Sequence, residues 1–184
     1  MRLVSVNVGS PHNIGEIQGT AVTSGIIKSQ VDGPVVVKRL NLEGDRQADL
    51  EVHGGEDKAV YAYPSEHYRF WKDRFPEMDM PWGTFGENLT TEGLLEGAVH
   101  IGDIFAIGSA VLQVTQPRFP CYKLGLRFGT QTMVKLFLES ERTGFYLKVM
   151  KEGQVKAGDE LKPIERAWAA ETVTDIVREV KRSE

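Results

Sequence analysis

Val99-His100-Ile101-Gly102-Asp103-Ile104-Phe105-Ala106-Ile107, continued across Gly108-Ser109 by Ala110-Val111-Leu112-Gln113-Val114-Thr115, is the stretch whose periodicity sets the fold class. Apolar side chains alternate with polar or small ones on both sides of the Gly-Ser pair. Successive side chains of a strand point to opposite faces, and glycine tolerates the positive φ of a tight reversal, so the pattern reads as a hairpin of half-buried strands. The same period of two recurs at residues 3–8, 20–28, 35–42, 58–63 and 146–150. Seven or more such runs broken by glycine predict a mostly β fold, a closed or partly closed β-barrel with a few short helices and a C-terminal helix.

Three stretches depart from that period. Tyr68, Trp71 and Phe75 recur at helical spacing behind Ser65, and Pro76 follows, which predicts a helix over 65–75. Met133, Val134, Phe137 and Leu138 predict a second over 130–140, closed by Gly144. Val173, Ile176, Val177 and Val180 predict a third from about Thr172, with a stripe in want of a partner surface. An internal echo pairs Glu96-Gly97-Ala98-Val99-His100-Ile101-Gly102-Asp103 with Glu152-Gly153-Gln154-Val155-Lys156-Ala157-Gly158-Asp159. Two copies are too few for a solenoid and read as two similar strand-turn corners of one barrel. The expected organisation is one domain over 1–165 and a helical tail over 166–184 that is not an independent domain.

Of 184 residues, 41% are hydrophobic and 26% charged, and the formal net charge is -4, so there is no overall basic field to draw in nucleic acid or an anionic membrane. No apolar run approaches the roughly 18 residues of a membrane span, and residues 1–9 alternate too soon to form a signal-peptide core. The single cysteine, Cys121, excludes an internal disulfide and a CxxC couple. The expectation is a cytoplasmic protein without nucleic-acid or membrane partners.

Polar clusters interrupt the strand-like runs where a rigid scaffold usually presents its functional groups. In Gly44-Asp45-Arg46-Gln47-Ala48-Asp49 and His53-Gly54-Gly55-Glu56-Asp57-Lys58, the cationic Arg46 and Lys58 and the imidazole of His53 offer donors to an anion; the same residues also suit a plain charged turn. In Trp82-Gly83-Thr84-Phe85-Gly86-Glu87-Asn88-Leu89-Thr90, Asn88 can donate to and accept from a flat heterocycle, or satisfy local backbone. In Thr115-Gln116-Pro117-Arg118-Phe119-Pro120-Cys121-Tyr122-Lys123-Leu124, two prolines stiffen the loop that carries Cys121. Arg118 and Lys123 set positive charge near a thiol, which favours the thiolate that attacks electrophiles and binds soft metals. A buried, inert cysteine is the alternative. His12, His67 and His100 read as surface or packing residues. HExxH, the Walker motif and GxGxxG do not occur.

These motifs, in this order from about Val4 to Ile164, resemble the MOSC-domain family (molybdenum cofactor sulfurase C-terminal domain), in particular its YiiM-like group. The resemblance implies a β-barrel and molybdenum cofactor (molybdopterin) chemistry. It makes Cys121 the metal or sulfur ligand, and Arg46, Asp49, His53, Lys58, Asn88, Thr115, Arg118 and Lys123 the cofactor-binding residues. Loops 44–58, 83–90 and 115–124 are then expected to meet around one pocket. YiiM-like relatives often continue into three C-terminal helices, of which residues 172–184 match only the beginning.

Three functions are compatible with that reading. The first is reduction of N-hydroxylated bases or related compounds, a small-molecule substrate, with electrons from a separate donor protein, because one cysteine cannot hold a four-cysteine iron–sulfur cluster. The second is a carrier that passes sulfur through a Cys121 persulfide or retains the cofactor without turnover. The third, a Cys-His hydrolase of Cys121 and His53, has no nucleophile signature behind it.

Overall fold

The computed structural model describes residues 1–46 and 54–183. In chain order the elements are β1 (Arg2–Val8), β2 (His12–Ile17), β3 (Thr20–Ser24), β4 (Ser29–Gln30), β5 (Val35–Lys38), β6 (Asn41–Leu42), β7 (Val60–Pro64), α1 (His67–Arg74), β8 (Leu89–Glu92), β9 (Ile104–Ile107), β10 (Ala110–Pro117), α2 (Tyr122–Arg127), α3 (Thr132–Glu139), β11 (Phe145–Lys151), β12 (Gly153–Val155), β13 (Leu161–Glu165) and α4 (Val173–Ser183). Short 3-10 turns at Glu56–Lys58 and Glu96–Ala98 precede β7 and β9. None of the described helices is long and apolar enough to cross a membrane.

The strands form a mixed eight-stranded sheet, β13-β9-β10-β11-β7-β8-β1-β4, beside a three-stranded sheet, β12-β5-β6, and the hairpin β2-β3. The barrel expectation is therefore corrected: among the described residues no sheet closes on itself. The large sheet ends in β13 on one side and the two-residue β4 on the other. Hydrogen bonds from the Leu3 N–H to Asp159, from the Gly158 N–H to Leu3 and from the Leu161 N–H to Met1 draw the start of β1 to the start of β13, where a single isolated antiparallel bridge, Arg2 with Glu160, joins them. Alternation reports which face of a strand is buried, not which strand lies beside it. The run expected over 35–42 is broken at Arg39-Leu40 into the hairpin β5–β6, whose other neighbour is β12. Its Val35, Val37 and Leu42 pack onto one face of the large sheet, against Leu3, Val60 and Leu112.

β7 lies inside the large sheet and is buried along its length. Val60 and Ala62 face the core shared with the small sheet, while Tyr61 and Tyr63 face an aromatic cluster with Trp71 of α1 and Phe137 of α3. Such two-sided burial is expected when helices and a second sheet cover both faces of a strand. α1 lies in the crossover that lets β7 and β8 run parallel, the one parallel pair among the described ladders. Trp71 donates from Nε1 to the Tyr63 hydroxyl at 2.7 Å, which satisfies both polar atoms inside the cluster.

The internal echo is a repeated turn. The Asp103 carboxylate accepts the His100 N–H at 2.9 Å while the Asp103 N–H donates to the His100 carbonyl at 3.1 Å. Asp159 treats Lys156 in the same way, at 2.9 and 3.1 Å. The glycine before each aspartate has a positive φ, 96° at Gly102 and 92° at Gly158, where a side chain would be strained. Because this turn occupies residues 100–103, the strand expected over 99–107 begins only at Ile104.

α4 begins behind Thr172, whose hydroxyl accepts the Asp175 N–H at 3.1 Å while its own N–H donates to the Asp175 carboxylate at 3.1 Å, a reciprocal cap. The helix buries Val173 and Val177 completely. Arg178 and Lys181 each pair with Glu141 at 2.8 Å, and of the stripe read from the sequence Val173 and Val177 are covered by this chain while Ile176 and Val180 stay half-buried.

Candidate functional site

Glu87 shapes the first wall of the site. Its carboxylate is fully buried in the bend before β8 and accepts from the Tyr68 hydroxyl at 2.5 Å, the Gly83 N–H at 2.8 Å, the Thr90 hydroxyl at 2.9 Å and the Phe85 N–H at 3.2 Å. Burial holds this carboxyl above the ordinary glutamate range, although the bonds from Tyr68 and Gly83 work the other way. The chain thereby passes Gly86 at φ 84°, where a Cβ would stand 2.9 Å from Ile26. That close approach sets Phe85, Gly86 and Asn88 opposite the segment after β3.

Asp45 builds the second wall. One carboxylate oxygen accepts the Gly9 N–H at 2.9 Å and forms an ion pair with Lys28; the other accepts from the Asn88 amide at 2.9 Å. Both charged side chains are withdrawn from water, at 7% exposure for Lys28 and 1% for Asp45. The Asn88 side-chain oxygen accepts the Tyr61 N–H at 3.1 Å, and its amide nitrogen also reaches the Asn7 carbonyl at 3.3 Å. Asn88 is thus a clamp between three chain segments, and its hydrogen bonds are already made within the protein.

The third wall is the loop between β10 and α2. Pro117 pairs with Phe145 at the end of β10, and the Arg118 N–H donates to the Gly144 carbonyl at 3.2 Å. Arg118 is 6% exposed, its guanidinium carbon 5.2 Å from the Phe137 ring centre and 5.5 Å from that of Tyr61. Its Nη1 is buried without a hydrogen-bond partner. Burial opposes the charge, but Tyr61, Tyr146 and Cys121 outweigh it and hold the guanidinium above its ordinary value. Cys121, half-buried, occupies the N-terminal cap of α2, a helix not anticipated from the sequence.

These walls enclose one cleft of about 700 Å³ open to solvent. It brings together six of the residues singled out in the sequence: Arg46, Lys58, Asn88, Arg118, Cys121 and Lys123. Thr115 does not line it. The Thr115 hydroxyl donates to the Asp57 carbonyl at 2.6 Å and so fastens the 3-10 turn that ends in Lys58. Asp49 and His53 lie outside the described residues. The sequence reading gave no role to four other lining residues, Lys28, Asp45, Tyr61 and Tyr146. Asp45 stood inside a quoted motif, but the other three sit in strands or beside them, where the partner across the sheet decides which way a side chain looks.

The profile of the MOSC domain matches residues 49–162, more than half of the chain. YflK of Bacillus subtilis is 45% identical over 164 residues, covering 89% of this chain and 73% of that protein. YiiM of Escherichia coli is 44% identical over 145 residues, covering 78% of this chain and 65% of that one. A protein named reductase from Gibberella moniliformis is 36% identical over 166 residues, covering 89% of this chain but 29% of its own length. Among solved structures, the crystal structure of YiiM from Geobacillus stearothermophilus superposes with a TM-score of 0.80 at 36% identity, covering 99% of this chain and 84% of that one. With the motif order, the sheet topology and the cleft, these matches mean that the chain belongs to the MOSC-domain family, in its YiiM-like group.

Proposed function

We propose that the chain is a cytoplasmic molybdenum cofactor-binding protein that reduces N-hydroxylated bases or related compounds, with Cys121 as the molybdenum ligand and a separate protein as electron donor. The observation that carries the reading is the convergence on one cleft of the single thiol and five cationic side chains, those of Lys28, Arg46, Lys58, Arg118 and Lys123, against one lining carboxylate, Asp45. MOSC domains are associated with the molybdenum cofactor, and a relative 36% identical to this chain carries the name reductase.

The residues fit such a group. A phosphate wants charge-assisted donors, and a soft metal wants sulfur. Arg118 contributes a buried guanidinium nitrogen left without a partner inside the protein, and a buried donor of that kind favours an acceptor brought by a ligand. Arg46, Lys58 and Lys123 add further donors for the phosphate, and Cys121 the sulfur. Asn88 acts by clamping Asp45 and Lys28, and Thr115 by holding the turn of Lys58. When bound, the cofactor supplies a metal centre able to change its oxidation state, the step no side chain here can perform. The buried rings of Tyr61 and Phe85 restrict water on the inner side of the cleft. Conversion of an N–OH to an N–H group consumes two electrons from the donor protein and two protons and releases water.

The test is turnover of 6-hydroxylaminopurine by cofactor-loaded protein with a competent electron donor, following the amine product. Turnover in the wild type that falls to background in Cys121→Ala is the expected result. Cofactor bound without turnover would instead favour the carrier function, and full activity in Cys121→Ala would remove the cysteine from the reaction.

A further inference from the structure

We infer that Phe119 is a stacking platform for a flat aromatic substrate at the mouth of the cleft, so that this residue sets a preference for heteroaromatic over aliphatic N-hydroxy compounds. The inference deepens the reductase reading and rests on it for the word substrate; the platform itself rests on the packing of one ring.

Phe119 is the one exposed phenylalanine among the described residues. Other exposed apolar side chains, Leu40, Met150, Ile164 and Trp168 among them, stand away from the cleft, whereas Phe119 lines it two positions before Cys121. The other rings of the cleft are engaged: Tyr61 lies 5.5 Å from Tyr146, and Phe85 is stacked 4.5 Å from Tyr63. Among the described residues no ring or cation contact engages Phe119. It also borders a second groove, with Val134 and Leu138 of α3 and Val180 of α4. Phe119 thus stands between two depressions, 39% exposed.

The loop holds it there. Proline fixes φ, and Phe119 is bracketed by Pro117 and Pro120, with the intervening Arg118 N–H tied to Gly144. A ligand stacking on such a platform needs to immobilise little of the protein, which keeps the ordering cost of binding low. An aromatic face tolerates any flat π-system, and base–aromatic stacking, measured by alanine substitution, changes binding by about 5- to 150-fold.

The probe is adenine, which has a flat ring and no N–OH group. Its binding to cofactor-loaded protein is measured by calorimetry for wild type, Phe119→Ala, Phe119→Trp and Tyr122→Leu. Tyr122 is exposed nearby but does not line the cleft. Adenine affinity is expected to fall about 10-fold in Phe119→Ala, to be retained in Phe119→Trp and to be unchanged in Tyr122→Leu, with the molybdenum content of all four equal. In turnover, KM for 6-hydroxylaminopurine rises in Phe119→Ala at constant kcat, while KM for acetohydroxamic acid does not move. Equal adenine affinity in wild type and Phe119→Ala, or no adenine binding by wild type, overturns the platform. Phe119-dependent adenine binding by a protein without turnover would keep the platform and reject the reductase, so the two failures are distinguishable.

Discussion

Asp45→Ala is expected to cost the fold about 3–5 kcal/mol, because it strands a buried ammonium: removal of one member of a buried ion pair leaves the other without its counter-charge. Lys28 has 7% exposure and would face the cleft wall with its only described anionic partner gone. The Gly9 N–H and the Asn88 amide lose their acceptor in the same substitution, and with them the clamp between β1, the segment after β6 and the bend before β8. Denaturant unfolding measures the loss as a lower midpoint at unchanged slope. The charge explanation is separable from a packing one. Lys28→Met added to Asp45→Ala removes the stranded ammonium and should recover part of the stability, whereas a purely steric loss would deepen. Lys28 and Arg46 line the cleft, so the single variant should also purify with less cofactor.

Glu87→Ala has an effect of similar size for a different reason. Four donors converge on one carboxylate inside the protein, and its loss leaves the Tyr68 and Thr90 hydroxyls and the Gly83 and Phe85 N–H groups without that acceptor, at a cost of about 3–5 kcal/mol. The pH dependence has a definite sign. Burial raises the folded value above that of the unfolded chain, so the folded state holds the proton more tightly. The contribution of Glu87 to stability is then fullest below the ordinary glutamate range and declines as pH rises through the raised folded value. Glu87→Gln cannot titrate and should remove that decline from the stability profile. A stability that instead rises with pH in the same window, and does so only in the wild type, would mean that the four donors outweigh burial.

Much of the cleft was legible in the sequence because its parts lie in loops whose chemistry is local. Pro117 and Pro120 mark a stiffened segment wherever it falls in the fold, and cations within a few residues of Cys121 stay near it. Arg46 and Lys58 were legible for a related reason: both sit in charged turns beside glycines, and turns face a surface. Lys28, Tyr61 and Tyr146 were not, since what brings them to the cleft is the pairing of β11 with β7 and the crossing of Asp45 to the segment after β3. Such pairings depend on strand order, on which alternation is silent.

The same silence explains the barrel. The runs at 3–8, 110–115 and 146–150 are strands as expected, but the run at 35–42 folds back on itself and joins β12 in a separate sheet. Two sheets packed face to face bury the same alternating side chains as a closed cylinder, so the pattern of apolar residues does not separate them. α2 escaped notice because Cys121-Tyr122-Lys123-Leu124-Gly125-Leu126 is short and carries a glycine, too little sequence for a helical period to emerge.

The central claim is that the cleft holds the molybdenum cofactor through Cys121. It is tested most directly by the molybdenum and pterin content of the protein purified from a host that makes the cofactor, beside Cys121→Ala prepared identically. The account predicts stoichiometric metal and pterin in the wild type and their loss in the variant. Wild-type protein with neither, or a variant that retains both in full, would contradict it.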